Sequence, residues 1–484
     1  MPKQKISLRE KILQWTSKKD LYEIKSTREM FCKACGKLFI CEKKCHLQQH
    51  EQTAIHKENI MTPLRQTLLT QNLEESANRT FNMELCNVFL AANIPWHKLQ
   101  NPAFQNFLTK YCGRKIPDES TLRKNYLPKC YKDTIDRIRN ELDPFNIWVS
   151  VDETTDALGR YVANCLVGKL SEDEPGKSYL LASKQLERTN HETIARFVNQ
   201  SLEILWSTRV VAEKFLLFVT DGAPYMIKSG RHLKVFYPKI VHVTCLAHAL
   251  NLVAEKIRYQ YEDVDNLISN VKKIFVKAPL RVEMYKEKLK EMPLPPQPIL
   301  TRWGTWLQAA MFYSEHFDSI KEVVMSFDGS SAVAIQKAQS IMKKPGIKNQ
   351  LIYVRSNFKI ICESITQLEK NGLPLTDSIK IVENVFTSLK KSSGPVAAVA
   401  LKKLEDVTEK NPGYKFLLEL ARIFRGEDVP EHDAKMEEIY YKFAPITSCE
   451  VERSFSKYKS ILVDNRQCFK VENLEQYLVC NVNT

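Results

Sequence analysis

The chain has 484 residues, 44% of them hydrophobic, only 14 glycines and a net charge of +14. That length exceeds a single core and predicts roughly two to four domains. No run of about 18 uncharged apolar residues occurs and the N-terminus carries no apolar leader, so a membrane-spanning or secreted protein is not expected. Scarce glycine argues against glycine-rich nucleotide loops, and thirteen cysteines in a reducing compartment point to metal ligands more than to disulfides.

The positive charge is uneven. Residues 1–65 hold 14 Lys/Arg against 7 Asp/Glu, half the excess in a small part of the chain. Charge of this kind suits a polyanion, because each cation at a phosphate releases condensed counterions; it also serves solubility, so it needs a motif beside it. The motif is Cys32-x2-Cys35-x14-His50-x5-His56. Two thiolates on a knuckle and two imidazoles on a following helix, expected over residues 45–57 with Leu47 beneath it, can close a tetrahedral zinc shell. Cys41, Cys45 and His46 are competing ligands. Metal would also explain how so short a basic segment, residues 1–60, folds.

Residues 60–80 are polar, without clear periodicity, and read as a linker. A helical region follows over 81–143, with Phe81, Leu85, Val88 and Phe89, and later Ile135, Ile138 and Leu142, at helical spacing. From Ile147 to Asp152 apolar and polar residues alternate, the period of a strand. Tyr161–Leu170 and Ser178–Leu186 are further strands, and His191–Trp206 is a helix whose Ile194, Phe197, Val198, Leu202 and Leu205 share a face. Phe215–Thr220 and Ile240–Cys245 are strands, the second leading into a helix at His248–Lys256. This order predicts an α/β layer over 144–256. The amphipathic segment Asp263–Val276, a proline-rich break at 293–298 and a helical stretch from Thr301 to about Tyr440 form an all-α section, 257–440. The last block, 441–484, ends on a stripe of Val471, Leu474, Tyr477 and Leu478.

Two aspartates at the ends of neighbouring strands, Asp152 and Asp221, and a carboxylate from a later helix can line an oxygen-rich site of the kind hard divalent ions prefer. Each alone is also an ordinary turn or strand-end residue.

Several phrases carry resemblances. "FLAANIP", "NPAFQNFL" and "IP…LRKNYLP" between Phe89 and Tyr131 resemble the domain of the CGG triplet repeat-binding protein family and its transposase relatives. The resemblance implies a DNA-binding and assembly role for 81–143, with Arg123 a DNA contact. "VSVDETTD" (149–156), "FVTDGAPYM" (218–226), "VTCLAHALNL" (243–252), "TRW" (301–303) and "VERSFS" (451–456) are similar, in order, to hAT-superfamily transposases. The resemblance implies a multidomain α/β protein: an N-terminal zinc finger, a helical DNA-binding region, and an RNase H-like mixed-sheet core interrupted by an all-α insertion. It implies a catalytic Asp152, Asp221 and Glu452 triad holding magnesium or manganese, with Glu450 on another helical face. Cys245 and His248 match the C-x-x-H element, His248 being a DNA-contacting candidate. Trp303 matches a tryptophan that stacks near the cleaved DNA end, with Trp306 as its neighbour. The C-terminal block matches a dimerisation region, so DNA and further copies of the chain are the expected partners, in the nucleus. The departures are Val451, where a small or hydroxylated residue is usual, and a short helical insertion. The expected function is DNA strand cleavage and transfer, or else DNA-binding regulation without catalysis.

Overall fold

The structure, a computed structural model, describes residues 8–16, 19–61, 64–206, 210–299, 302–430, 432–433, 435–462 and 469–484. Thr301 of the "TRW" phrase lies outside them. The chain divides into two compact units, Met1–Val88 with Trp96–Leu122, and Phe89–Pro95 with Arg123–Thr484.

In the first unit α1 (Leu8–Trp15) precedes an antiparallel sheet of β1 (Tyr22–Ile24), β2 (Glu29–Cys32) and β3 (Lys37–Ile40). Its small core holds Tyr22, Met30, Cys32, Ala34, Cys41 and Leu47, with Trp15, Leu21 and Phe39 packed against it. The expected helix over 45–57 is two helices, α2 (Lys44–Gln52) and α3 (Ala54–Met61), broken where Thr53 turns extended (φ −61°, ψ 141°). The break has a reason. At about 100° per residue, positions six apart on one helix point roughly 120° away from each other, so an unbroken helix could not aim His50 and His56 at one point. Thr53 Oγ1 donates to the His50 carbonyl (2.8 Å) and accepts the His56 N–H (3.3 Å), closing one helix and opening the next.

The linker expected over 60–80 is instead helical: α4 spans Leu64–Ala91. Residues 65–80 lack glycine and proline and are rich in Leu, Gln and Glu, so intrinsic propensity favours helix where periodicity is silent. α5 (Pro102–Cys112) begins at Asn101, which accepts the Ala103 and Phe104 N–H groups, and stops at Gly113 in the left-handed region. The short α6 (Glu119–Thr121) follows.

The second unit opens with α7 (Leu127–Leu142) and is organised on five strands: β4 (Asn146–Thr155), β5 (Tyr161–Leu170), β6 (Ser178–Leu186), β7 (Phe215–Thr220) and β8 (Val241–Thr244). Their order is β6-β5-β4-β7-β8. β4, β5 and β6 pair antiparallel, whereas β4–β7 and β7–β8 are parallel. Parallel neighbours need crossovers, here α8 (His191–Leu205) and α9 (Pro224–Phe236). α8 starts on an Asn190–Thr193 capping box and buries the five apolar residues of its periodic face. All six β7 residues are buried, each large one contributing about 1.5–3 kcal/mol of apolar burial.

α10 (Leu246–Arg258) leaves β8, and the helical section follows as α11 (Glu262–Phe275), α12 (Pro279–Lys288), α13 (Thr305–Met325), α14 (Val333–Lys343), α15 (Ile347–Leu368), α16 (Leu375–Lys391), α17 (Pro395–Glu409) and α18 (Tyr414–Phe424). α15 and α17 pack on α10, tying this section to the sheet's end. α19 (Cys449–Ile461) returns to β4 and β5, and α20 (Val471–Val482) packs on β6 and α7. Leu474, Tyr477 and Leu478 of the C-terminal stripe are therefore buried within this chain's own core, while Val471 stays exposed.

Each outer strand of this sheet meets an asparagine side chain at one residue of its open edge. Asn411 accepts the Thr244 N–H (3.0 Å) and donates to the Thr244 carbonyl (2.8 Å) on β8. Asn483 does the same to Leu180 on β6 (3.0 and 2.8 Å). Each carboxamide stands in for one residue of a missing strand. Among the described residues, no helix is long and apolar enough to cross a membrane.

Candidate metal and catalytic sites

In the first unit, ligand atoms of Cys32, Cys35, His50 and His56 all lie within 4.8 Å of one another. The knuckle closes through Gly36 at φ 62°, its N–H donating to the Cys32 carbonyl (2.9 Å). His56 Nδ1 faces both thiols (3.1 Å from Cys35 Sγ, 3.4 Å from Cys32 Sγ), while its Nε2 meets the Tyr22 hydroxyl at 3.3 Å. An outer partner of this kind fixes which ring nitrogen is offered to a metal. His50 stacks on Phe39 (4.1 Å between ring centroids), and its Nε2 is buried with no hydrogen-bond partner among the described residues. Burial and the neighbouring His56 hold the His50 pKa below its ordinary value, favouring the neutral, ligating ring. Two thiols and two imidazoles that converge, one with an orphaned buried nitrogen, fit a structural zinc. The competing ligands stand outside the group: Cys41 Sγ is directed at the Lys43 carbonyl (3.9 Å), Cys45 is exposed, and His46 Nδ1 accepts the Glu42 N–H (3.3 Å).

In the second unit the structure brings Asp152, Asp221 and Glu452 together. Asp152 lies on β4, Asp221 directly follows the neighbouring parallel strand β7, and Glu452 comes from the first turn of α19. Asp221 Oδ1 accepts the Ala223 N–H (3.0 Å), and Asp152 Oδ1 accepts that of Glu153 (2.9 Å). α19 is seated by Ser454, whose Oγ accepts from Asn164 of β5 (2.7 Å), and by Tyr458, which donates to Asp156 (3.1 Å); Val451 is fully buried beneath it. Glu450 faces elsewhere, paired with Arg453 and accepting from Ser178 (3.2 Å).

The electrostatics register the crowding. Burial, then Asp221 and Glu153, raises the Asp152 pKa well above the carboxylate range. Burial raises Asp221 as well, against the Ala223 N–H and His248. Burial, then Asp152, Cys245 and Asp221, pushes Glu452 up to about 9. Carboxyl groups so placed hold protons unless a cation joins them.

Sequence reasoning missed two further acids. Glu153 is raised by burial and by Asp221; one oxygen accepts from the Tyr225 hydroxyl and the other, Oε2, is buried without a partner among the described residues. Glu369, after α15, adds to the field at Glu452. Strand alternation argues against Glu153, since it sets neighbours on opposite faces, and only Tyr225 in the "DGAPYM" phrase hinted at a partner. Nothing in the sequence linked Glu369 to the group.

Trp303 and Glu452 line one cleft together with Arg302, Gln308 and Phe312. The Trp303 ring meets His248 edge to face at 5.7 Å, and the next residue, Gly304, at φ 68°, donates its N–H to Asn251 of α10 (2.9 Å). Trp306 is core, 2% exposed. Cys245 caps α10, and its sulfur accepts the His248 (3.4 Å) and Ser448 (3.2 Å) N–H groups. Burial opposes its ionisation, but these bonds and one with the Cys449 thiol bring it down to about 7. Arg123 is not part of this assembly; it sits half-buried in a π-helical turn, Leu122–Tyr126, before α7.

Two family profiles match the chain. That described as "Domain of unknown function (DUF659)" matches residues 117–274 and so contains Asp152, Asp221 and His248; this family is associated with hAT-type transposase-like proteins. That described as "CGGBP1 helical domain" matches residues 73–129. CGG triplet repeat-binding protein 1 of Mus musculus and that of Homo sapiens are each 25% identical over 117 residues, 22% of this chain and 70% of the relative.

Proposed function

We propose that this chain is a transposase-derived, nuclear DNA-binding protein whose second unit is an RNase H-like nuclease core. The domain reading is a zinc finger (1–60), a helical DNA-binding and assembly region (81–143), a core in two parts (144–256 and 441–484) and a helical insertion (257–440). What carries it is the convergence of Asp152, Asp221 and Glu452 from the first strand, the fourth strand and a helix some 230 residues later. Three antiparallel strands followed by two parallel ones with helical crossovers form a mixed sheet that supports this reading. The finger, with the segment similar to a protein named for binding CGG triplet repeats, supports DNA as partner.

Asp152, Asp221 and Glu452 would hold magnesium or manganese, and the buried, unpartnered Glu153 Oε2 marks oxygen donors in excess of protein partners. Ions held there would supply the activation of a water or 3′-hydroxyl and the stabilisation of a leaving phosphodiester oxygen. The chain's own part is to position. Ser454 and Tyr458 fix Glu452 on the sheet; Asn251 and Gly304 fix Trp303, whose ring offers a stacking surface to an unpaired base. His248, beside Asp221, is a DNA-contacting residue, as is Arg123 before α7. A homodimer or larger homo-oligomer would form through surfaces other than the buried α20 stripe.

The test is strand cleavage of DNA bearing candidate element ends, with Mg²⁺ or Mn²⁺, by the zinc-loaded protein and by Asp152→Asn, Asp221→Asn and Glu452→Gln. Cleavage lost in all three supports the reading. Tight DNA binding without cleavage in any form, the unaltered protein included, overturns catalysis and leaves a DNA-binding regulator.

A further inference from the structure

The cleft between α9, α10 and α17 begins at Gly222 and Pro224, one and three residues beyond Asp221, and contains Cys245 and His248. Its walls carry Lys228 and Arg231 on α9, Lys403 on α17 and Lys410 at that helix's end. None of these four makes an ion pair among the described residues. The single acid in the lining, Asp406, is taken by Lys402 (2.9 Å).

These four are set apart by lining one groove rather than by being unpaired: Lys234 of α9, Lys256 of α10 and Lys380 of α16 also make no ion pair among the described residues, whereas other cations of the surrounding helices do. Lys344 pairs with Asp263, Lys348 with Asp318, Arg355 with Glu315, Lys359 with Glu363, Lys415 with Glu419 and Arg425 with Glu383. Asp406 also feels Lys403 and Lys410, but one acid leaves the groove with an excess of positive charge, and an anion threaded between the cations relieves their repulsion. A small anion would meet one or two of them. Lys403 and Lys410 are seven positions apart, about 10 Å along the helix, which matches the advance of roughly three nucleotides of a DNA strand.

We infer that this cleft is a backbone-binding track for the DNA strand that continues from the carboxylate site, held by Lys228, Arg231, Lys403 and Lys410. The inference rests on the proposed DNA-processing reading and adds the route of the strand. The contacts are to phosphate and carry no base preference. α17 belongs to the helical section, so that section forms one wall of the path.

Amine-reactive labelling of the intact, zinc-loaded protein, with and without a DNA duplex carrying a single-stranded extension, tests this residue by residue. Lys228, Lys403 and Lys410 should lose labelling severalfold in the complex, while the ion-paired Lys359 and Lys415 keep theirs. A Lys403→Gln, Lys410→Gln double variant should show a slope of log affinity against log salt reduced by about 2, near one per phosphate contact. Unchanged labelling of the three lysines in a complex that forms overturns the track, even if Mn²⁺-dependent cleavage proceeds and the functional reading survives. Protection without cleavage supports the track while catalysis fails. Protection by an RNA strand but not by DNA, or no complex at all, overturns it.

Discussion

Glu452→Gln is expected to stabilise the protein in buffer free of Mg²⁺ and Mn²⁺, and only above mildly acidic pH. Burial and the charges of Asp152, Cys245 and Asp221 lift the Glu452 pKa from 4.5 to about 9. The folded state therefore keeps a proton that the unfolded state gives up. Stability from this group is fully present below the unfolded value and is lost as pH rises from there towards 9. At pH 7.5, three units above 4.5, about 1.4 kcal/mol per unit gives a ceiling near 4 kcal/mol. Asp152 and Asp221 share the repulsion, and removing one acid relieves their own titration only in part, which brings the expected gain to about 2 kcal/mol. Glutamine keeps the volume, so packing does not compete. Denaturant melts of both proteins at pH 5 and pH 7.5 measure it, and Mn²⁺ should narrow the gap at pH 7.5 by stabilising the unaltered protein more. A variant offset equal at the two pH values, or a loss at pH 7.5, would refute the account of the three acids as one mutually repelling group.

Cys35→Ser should abolish stoichiometric zinc and unfold the finger, because metal binding of about 10–16 kcal/mol is the folding energy of so small a core; zinc analysis and circular dichroism of the variant report it. Gly230→Ala should cost about 1–3 kcal/mol by overpacking, since its new Cβ would stand 2.2 Å from His242 Nδ1, and a thermal melt reads the loss. The same histidine, driven down to about 4 by burial and Arg231, contributes stability present above pH 6.5 and lost as pH falls towards 4; that loss should appear in the acid limb of a melt series. Asn411→Ala should cost about 2 kcal/mol by leaving a buried N–H and C=O unpaired on β8, with faster amide exchange at Thr244 as the local sign.

Where burial follows a simple period, the sequence was readable. β5, β6 and β7 fall at the expected residues, and α8 within one, because alternation or a continuous apolar run states directly which side chains are inside. α9 was passed over for a physical reason. Its buried side is Met226, Ser229, Gly230 and Leu233, small where His242 needs room, while Val235 and Phe236 are exposed. α4 was hidden because its first half rests on propensity without an apolar stripe. The four finger ligands were legible from spacing, but the break at Thr53 was not, since it follows from where the histidines must point. Of the carboxylates, Asp152, Asp221 and Glu452 came from phrases in the sequence; Glu153 and Glu369 join them only through three-dimensional packing.

The asparagines at Thr244 and Leu180 bear on what this protein can become in a crowded cell. An open-ended ladder is a template, able to recruit a strand from a neighbour and, repeated, to seed fibres. Here each end is met by a side chain that offers the next rung's donor and acceptor and then stops, like a terminator unit on a growing polymer. Copies of this chain at high local density would thus be steered away from edge-to-edge sheet growth and towards contacts between helices.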